Sequence, residues 1–86
     1  MPDIEIYTQP WSPYCERAMH ILSTRDAAFR EIDAPGGSAA REEARTRSGG
    51  RTSVPQIFID GRHIGGCDDL MALDRAGKLD PLLRGA

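Results

Sequence analysis

The sequence predicts an α/β domain whose elements follow the order β-α-β-α-β-β-α, and two features support this fold class. The first half alternates strand-like and helix-like segments, as in a βαβ unit with parallel strands. In the second half an apolar run is interrupted by Asp60-Gly61 and resumes at Ile64, which predicts an antiparallel hairpin with a type I′ turn. A helix-like segment then closes the domain. We therefore expect one sheet with both parallel and antiparallel strands.

The first strand and the first helix have clear local signals. Residues 4–7 alternate between apolar and polar or aromatic side chains, which is typical of a strand. A helix should begin at Pro13, because Ser12 suits the N-cap and proline suits the first helical position. Its apolar residues recur at the i, i+3, i+4 and i+7 positions of one face: Cys15, Ala18, Met19 and Leu22. Residues 28–33 predict a second strand, although their alternation is imperfect.

A second helix is predicted from its cap, Ser38, to about Ser48, and Gly49-Gly50 ends it. This helix is mostly polar, so we expect it to pack only through Ala40 and Ala44. Its four arginines predict a solvated face, with Glu42 and Glu43 paired to arginines three or four residues further on. The arginines of this stretch are Arg41, Arg45, Arg47 and Arg51.

The hairpin strands are predicted at 56–60 and 62–65, and a third helix should begin at about Asp68. We expect its inward residues to be Leu70, Leu73 and Ala76. Residues 80–83 predict a short closing turn or helix.

Length and composition limit the classes of function. The 86 residues make one domain, 1–86, with room for one modest core. A formal charge of −2 is too small for a nucleic-acid surface or a polybasic membrane patch, and no apolar run approaches the ~20 residues that span a bilayer. The N-terminus lacks the basic start and the apolar stretch of a signal peptide, so we expect a cytoplasmic protein, and a monomer. Its two cysteines are then free thiols, metal ligands or redox groups.

Three segments could carry chemistry. Residues 11–15 lie at a strand-to-helix turn, where a helix N-terminus stabilises a thiolate; they read Ser-x-x-Cys where Cys-x-x-Cys would be a redox motif. Residues 53–55 enter a strand through an X-Pro bond, and a cis peptide there would leave the backbone of Val54 free to pair with an extended peptide. Residues 65–69 begin a helix whose N–H groups can hold a carboxylate while an aspartate holds an amine.

The same segments carry a family resemblance over nearly the whole chain. They read Tyr-Thr-x-Pro-Trp-x-Pro-Tyr-Cys from Tyr7, Val-Pro-Gln-Ile-Phe-Ile-Asp-Gly from Val54 and His-Ile-Gly-Gly-Cys-Asp-Asp-Leu from His63. Together they resemble the bacterial class I glutaredoxins of the Cys-Pro-Tyr-Cys type. The resemblance implies a thioredoxin-like fold, with a four-stranded mixed sheet flanked by three or four helices.

The resemblance also implies an activity, that of a glutathione-dependent thiol–disulfide oxidoreductase. In this family the first active-site cysteine attacks a glutathione mixed disulfide or a protein disulfide, and free glutathione regenerates it. Position 12 is the place of that cysteine, and Cys15 has the place of the resolving one. The implied partners are glutathione, as co-substrate, and client proteins with disulfides or glutathione adducts, without metal, nucleic acid or membrane.

The residues implied to bind glutathione come from all three segments. Val54 with a cis Pro55 would pair with the glutathione backbone, and Tyr14 and Thr52 would line the groove. The γ-glutamyl end would be held by the helix N-terminus at Gly66, Cys67, Asp68 and Asp69. One of the four arginines between residues 41 and 51 can also reach a carboxylate of glutathione, and the sequence does not say which one.

Two departures from the family pattern matter. Ser12 replaces the nucleophile, and a serine hydroxyl does not ionise near neutral pH without a base, so we expect the chain to lack thioltransferase activity. Either an engineered replacement or a natural variant explains this serine. Gln9 stands where many glutaredoxins have a lysine, which removes one positive charge near the glycyl carboxylate of glutathione.

Simpler interpretations stand beside these. Ser12 can be only an N-cap, Cys15 a buried apolar residue and Cys67 a partly exposed bystander. The alternatives are a Cys15 thiol that forms an adduct with glutathione and a Cys67 thiol that is oxidised and links two molecules. Trp11 and Tyr14 are expected to line a groove rather than fill the core. Two histidines and two cysteines invite a zinc interpretation, but the tight cysteine pairs of structural zinc sites are missing, and His20 is expected on a helix surface and His63 in the hairpin.

Two other functions compete with a silenced oxidoreductase. One is a module that binds glutathione or clients without redox turnover. The other is an iron–sulfur carrier, since some glutaredoxins hold a [2Fe–2S] cluster with the first cysteine and glutathione. The serine at position 12 counts against the carrier.

Overall fold

A computed structural model describes residues 2–85 of the chain and confirms the predicted α/β class. The elements are β1 (Ile4–Thr8), α1 (Pro13–Thr24), β2 (Arg30–Asp33), α2 (Ala39–Arg47), β3 (Gln56–Ile59), β4 (Arg62–Gly65), α3 (Cys67–Arg75) and α4 (Leu79–Leu83). None of these helices is long and apolar enough to cross a membrane.

The four strands form one mixed sheet in the order β2-β1-β3-β4. Strand β1 runs parallel to β2, and β3 pairs antiparallel with β4, as the βαβ and hairpin signals predict. Strand β1 also pairs antiparallel with β3, which joins the two halves of the sheet. The hairpin turns at Asp60 and Gly61, whose φ angles of 51° and 79° are both in the left-handed region that a type I′ turn requires. The turn chemistry read from the sequence is therefore confirmed.

Both faces of the sheet are covered by helices, because the central strands β1 and β3 alternate apolar residues between the two sides. On one face Ile6 and Ile57 pack with residues of α1, α3 and α4. On the other face Tyr7 and Phe58 pack against Ala44 of α2. Ala44 is buried and Ala40 is partly buried against the same cluster, as predicted for this polar helix.

Three local predictions need correction. The second strand begins at Arg30 rather than at residue 28, because its pairing with β1 starts at Arg30, opposite Glu5. The third helix begins at Cys67, one residue before the predicted start, with Gly66 as its N-cap. Ala76 is exposed rather than inward, because it is the C-cap and lies beyond the last packed turn of α3.

One of the two ion pairs predicted within helix α2 is present, and the residues of the other have partners in strand β1 instead. Arg45 pairs with Glu42 three residues earlier, as expected. Arg47 instead pairs with the carboxylate of Glu5 in strand β1, with 3.0 Å between Nη2 and Oε1. Glu43 accepts a hydrogen bond of 2.7 Å from the Tyr7 hydroxyl, so the predicted pairing of Glu43 within the helix is wrong. The Glu43 and Arg47 side chains contact residues of β1 because α2 packs directly over this strand.

Candidate functional site

The N-terminus of α1 follows the carboxyl end of β1 and begins at the predicted cap. Ser12 has extended backbone angles, and its Oγ accepts a hydrogen bond of 3.3 Å from the Cys15 N–H. Pro13 is the first helical residue, where its missing N–H costs no hydrogen bond. The atom at the Ser12 Oγ position thus faces the free N–H groups of the first turn, which would stabilise a negative charge there.

The two aromatic residues of this turn behave differently. Trp11 is 95% exposed and has a φ of 63°, in the left-handed region that bulky residues rarely adopt. Tyr14, in the first turn of α1, is half exposed and forms part of a cavity wall. Only Tyr14 therefore meets the expectation that both aromatics line a groove.

The loop before β3 faces the N-terminus of α1. The Val54–Pro55 peptide bond is cis, as predicted, Pro55 is buried, and Val54 is partly buried. Together with the N-termini of α1 and α3, this loop encloses a cavity of about 210 Å³. The cavity is lined by Tyr14, Arg51, Ser53, Val54, Pro55, Gly66, Cys67 and Asp68.

Two residues predicted for this wall lie elsewhere. Thr52 is exposed, and its carbonyl accepts hydrogen bonds from the Arg41 guanidinium, so the residue that lines the cavity beside Val54 is Ser53. Asp69 is not among the lining residues, and its carboxylate accepts hydrogen bonds from two residues that are, Arg51 and Gly66.

The Asp69 carboxylate accepts a backbone hydrogen bond at the N-terminus of α3. Its Oδ2 accepts hydrogen bonds of 2.8 Å from the Gly66 N–H and 3.0 Å from Arg51 Nη1. The Gly66 N–H, with a contribution from Arg51, holds the pKa of Asp69 below its usual 3.8, although burial opposes this shift. A side chain at Gly65 would place its Cβ 2.3 Å from this same oxygen, so the close approach requires glycine. Asp68 is exposed and remains available to a ligand.

Both cysteines are buried. Cys15 has no exposed surface, which agrees with its place on the apolar face of α1. Cys67 is only 4% exposed, so the expectation that it is partly exposed is wrong. Its Sγ lies 3.8 Å from the Met71 sulfur, one turn further along α3, and burial raises the pKa of its thiol. Cys67 packs in the core cluster that includes Ala18 and Leu22 of α1, a contact that no pattern in the sequence specifies.

Alkylation of the native protein tests this burial. We expect both Cys15 and Cys67 to react with iodoacetamide at pH 7.5 at least about tenfold more slowly than in the chemically unfolded chain, because both thiols are buried and burial also raises the pKa of Cys67. Mass spectrometry of tryptic peptides would give the rate at each cysteine. Modification of Cys67 at equal rates in native and unfolded protein would contradict the burial.

The charges around the cavity are arranged for a ligand that carries both signs. The N-termini of α1 and α3 contribute partial positive charge and free N–H groups, and Arg51 adds a positive charge that its ion pair with Asp69 partly offsets. Asp68 supplies a carboxylate on the same wall. A ligand with a carboxylate beside an amine would find partners for both groups in this cavity.

Two arginines that the sequence did not distinguish from their neighbours lie at or near this cavity. Arg51 lines the cavity itself. Arg41 donates to Gln9 Oε1 at 2.9 Å and to the Thr52 carbonyl at 3.0 Å, and so links the loop after β1 to the loop before β3. Spacing alone favoured a solvated helix face for both and could not say which arginine reaches a ligand, because their partners lie on distant segments of the chain.

The remaining sequence-predicted features lie apart from this cavity. His20 is exposed on α1, and the Nε2 of His63 in β4 lies 2.7 Å from Gln56 Oε1. Within residues 2–85 no three acidic, histidine or cysteine side chains group as a metal site would require. A larger cavity, of about 560 Å³, lies near the start of β1, and there Arg25 is already paired with Asp80.

The sheet order, the helix N-terminus that follows β1 and the cis-proline loop opposite it define a thioredoxin-like domain. The comparisons with known proteins agree with this class and refine it. The chain belongs to the glutaredoxin family, whose family model, described as Glutaredoxin, matches residues 4–64. Glutaredoxins are thiol–disulfide oxidoreductases.

Individual relatives match over nearly the whole chain. Glutaredoxin 3 of Escherichia coli K12 is 57% identical over 84 residues, which are 98% of this chain and 100% of the relative. The solution structure of a glutaredoxin from Brucella melitensis is 53% identical and superposes with a TM-score of 0.84, covering 96% of this chain and 89% of that one. A buckwheat glutaredoxin, crystallised in complex with glutathione, has a TM-score of 0.87 at 30% identity, covering 98% and 78%.

Proposed function

We propose that this chain is a glutathione-binding glutaredoxin that, in its Ser12 form, does not carry out thiol–disulfide exchange. The observation that supports binding is the convergence of both helix N-termini, the cis-proline loop and Asp68 on one cavity. Glutathione carries a carboxylate beside an amine at its γ-glutamyl end, and these groups match the α3 N-terminus and Asp68. Its backbone would pair with Val54, and the glutathione complex of the buckwheat relative supports this choice of ligand.

The arginines support a position for the glycyl end of the tripeptide. Gln9 cannot supply the charge of the lysine that many glutaredoxins have at its position, but Arg41 Nη1 lies 2.9 Å from its amide oxygen. A positive charge from α2 is therefore present beside the loop after β1. We assign the glycyl carboxylate to this side of the cavity, where Arg41 offsets the missing lysine.

The lack of turnover rests on the chemistry at position 12. The Ser12 hydroxyl accepts the cap hydrogen bond but is not ionised near neutral pH. Cys15 lies one turn into α1 and has no exposed surface, so its sulfur is poorly placed to attack a disulfide on another molecule. The same features favour a second function, a module in a reducing cytoplasm that holds glutathione or a glutathionylated client without reducing it.

A glutathione titration followed by amide chemical shifts tests the binding site. We expect the amides of Val54, Asp68 and Asp69 to shift at millimolar glutathione. Asp68→Asn should weaken binding about fivefold, because it removes the charge that faces the amine. Asp26→Asn is the matched control, since Asp26 lines the larger cavity at the other end of the molecule. The site is misplaced if Val54 and Asp68 stay still while residues around Asp26 move.

A further inference from the structure

A chain of three hydrogen-bonded polar groups, of which only the middle one, the Gln56 side chain, is buried, leads from strand β4 to the loop that lines the cavity. Gln56, the first residue of β3, has no exposed surface, yet both ends of its amide have partners. Its Nε2 donates to the Ser53 carbonyl at 3.1 Å, and its Oε1 lies 2.7 Å from His63 Nε2. The His63 ring packs against Phe58, with 5.1 Å between the ring centroids, which restricts its position.

The direction of these hydrogen bonds follows from the Ser53 carbonyl. Because a carbonyl oxygen only accepts, the Gln56 NH₂ group must face Ser53, and its amide oxygen must then face His63. His63 donates from Nε2 both as the neutral Nε2–H tautomer and as the protonated ring. The chain therefore runs in one direction, from His63 through Gln56 to Ser53. Reversal of the amide would set two acceptors against each other inside the protein, which is costly.

This chain also fixes the peptide group that joins Ser53 to Val54. That peptide is trans, and a planar trans peptide points its carbonyl and its N–H in opposite directions. Since the Ser53 carbonyl points inward to Gln56, the Val54 N–H points away from the interior. Val54 and Ser53 both line the cavity, so this N–H is presented to a ligand there.

We infer that Gln56 and His63 are positioning residues that orient the Val54 N–H as a hydrogen-bond donor for the backbone of the bound ligand. Neither side chain lines the cavity; each acts through the Ser53 carbonyl. The inference rests on the proposed glutathione site for its ligand, but the orientation of the N–H is a property of the free protein. The experiment therefore measures the orientation of the Val54 N–H in the free protein and, separately, the affinity for glutathione.

The variants are Gln56→Met, which keeps the length and removes both polar ends, and His63→Phe, which keeps a ring against Phe58 and removes the donor. His20→Phe is the matched control, because His20 is exposed on α1. Residual dipolar couplings of backbone amides in the free protein report the direction of the Val54 N–H relative to the strands. We expect Gln56→Met to change this coupling while those of β1 and β3 persist, with a smaller change in His63→Phe and none in His20→Phe.

The affinity for glutathione gives the second readout. We expect Gln56→Met to weaken binding about fivefold, the loss of one hydrogen bond, with a smaller effect of His63→Phe and none of His20→Phe. An unchanged Val54 coupling in a folded Gln56→Met protein would overturn the inference, and so would a changed coupling with unchanged affinity. If Gln56→Met does not fold, the Val54 coupling and the glutathione affinity of His63→Phe test the inference in the same way. If the unsubstituted protein fails to bind glutathione, the proposed function fails, while the couplings still test the orientation.

Discussion

Replacement of Ser12 by cysteine is expected to raise glutathione-dependent reduction of a mixed disulfide at least about a thousandfold over the Ser12 chain, because it supplies the missing nucleophile. The cap position that Ser12 Oγ occupies, facing the Cys15 N–H at 3.3 Å, is where a thiolate gains most from the N-terminus of α1. Since Ser12 already fits this position, the substitution should leave the fold unchanged. The measurement is a coupled assay of mixed-disulfide reduction with both proteins at equal concentration.

A second substitution in the Ser12→Cys background separates the roles of the two thiols. Cys15→Ser should spare the reduction of glutathione mixed disulfides, which needs only the first thiol. It should impair the reduction of protein disulfides, for which the second thiol releases the client. Turnover by the original Ser12 chain at a rate comparable to that of Ser12→Cys would show that Cys15 is the working nucleophile, and the assignment of the nucleophile to position 12 would be wrong.

Replacement of Arg47 by methionine is expected to lower the free energy of unfolding by about 2 kcal/mol at pH 7. Arg47 donates to Glu5 at 3.0 Å and to the Tyr7 hydroxyl at 2.8 Å, and its guanidinium carbon lies 4.0 Å from the Phe58 ring centroid. Methionine fills part of the same space but leaves the Glu5 carboxylate without this partner. Urea unfolding followed by circular dichroism gives the difference.

Arg45→Met is the matched control for this effect. Arg45 lies two residues earlier on the same helix and pairs with Glu42, and both side chains are well exposed. Its replacement should change stability by less than about 0.5 kcal/mol, as is usual for exposed pairs. Equal losses from Arg45→Met and Arg47→Met would show that helix propensity or net charge, rather than the contact with the sheet, is responsible.

The same ion pair predicts a pH dependence. The hydrogen bond from Arg47, with a further contribution from Arg30, holds the pKa of Glu5 below its usual 4.5. A carboxylate whose pKa is lowered by folding contributes stability that is present above the unfolded pKa and lost as the pH falls through the folded pKa. Arg47→Met should therefore lose less stability than the original chain between pH 5 and about pH 3. A stability difference between the two proteins that stays constant over this range would contradict the role of Glu5.

The elements and their order could be predicted from the amino-acid sequence alone, because the signals for them are local. Ser12 with Pro13 marks the start of α1, and Asp60-Gly61 gives a type I′ turn between β3 and β4. Hydrogen bonds of caps and turns connect residues a few positions apart, so the neighbouring residue types suffice to predict them. The same holds for the three motifs that carry the family resemblance, and residues of all three line one cavity.

The side chains that complete the site, in contrast, became known only from the packing of the elements in three dimensions. Arg51 reaches Asp69, which is 18 positions away, and Arg47 reaches Glu5, 42 positions away. Such pairs depend on which helix lies over which strand, and spacing along one helix predicted the wrong partner for Glu43. The burial of Cys67 and the presence of Ser53 rather than Thr52 in the cavity wall have the same origin. Periodicity defines the faces of an element, but the neighbours that those faces meet are set by packing between segments distant in the chain.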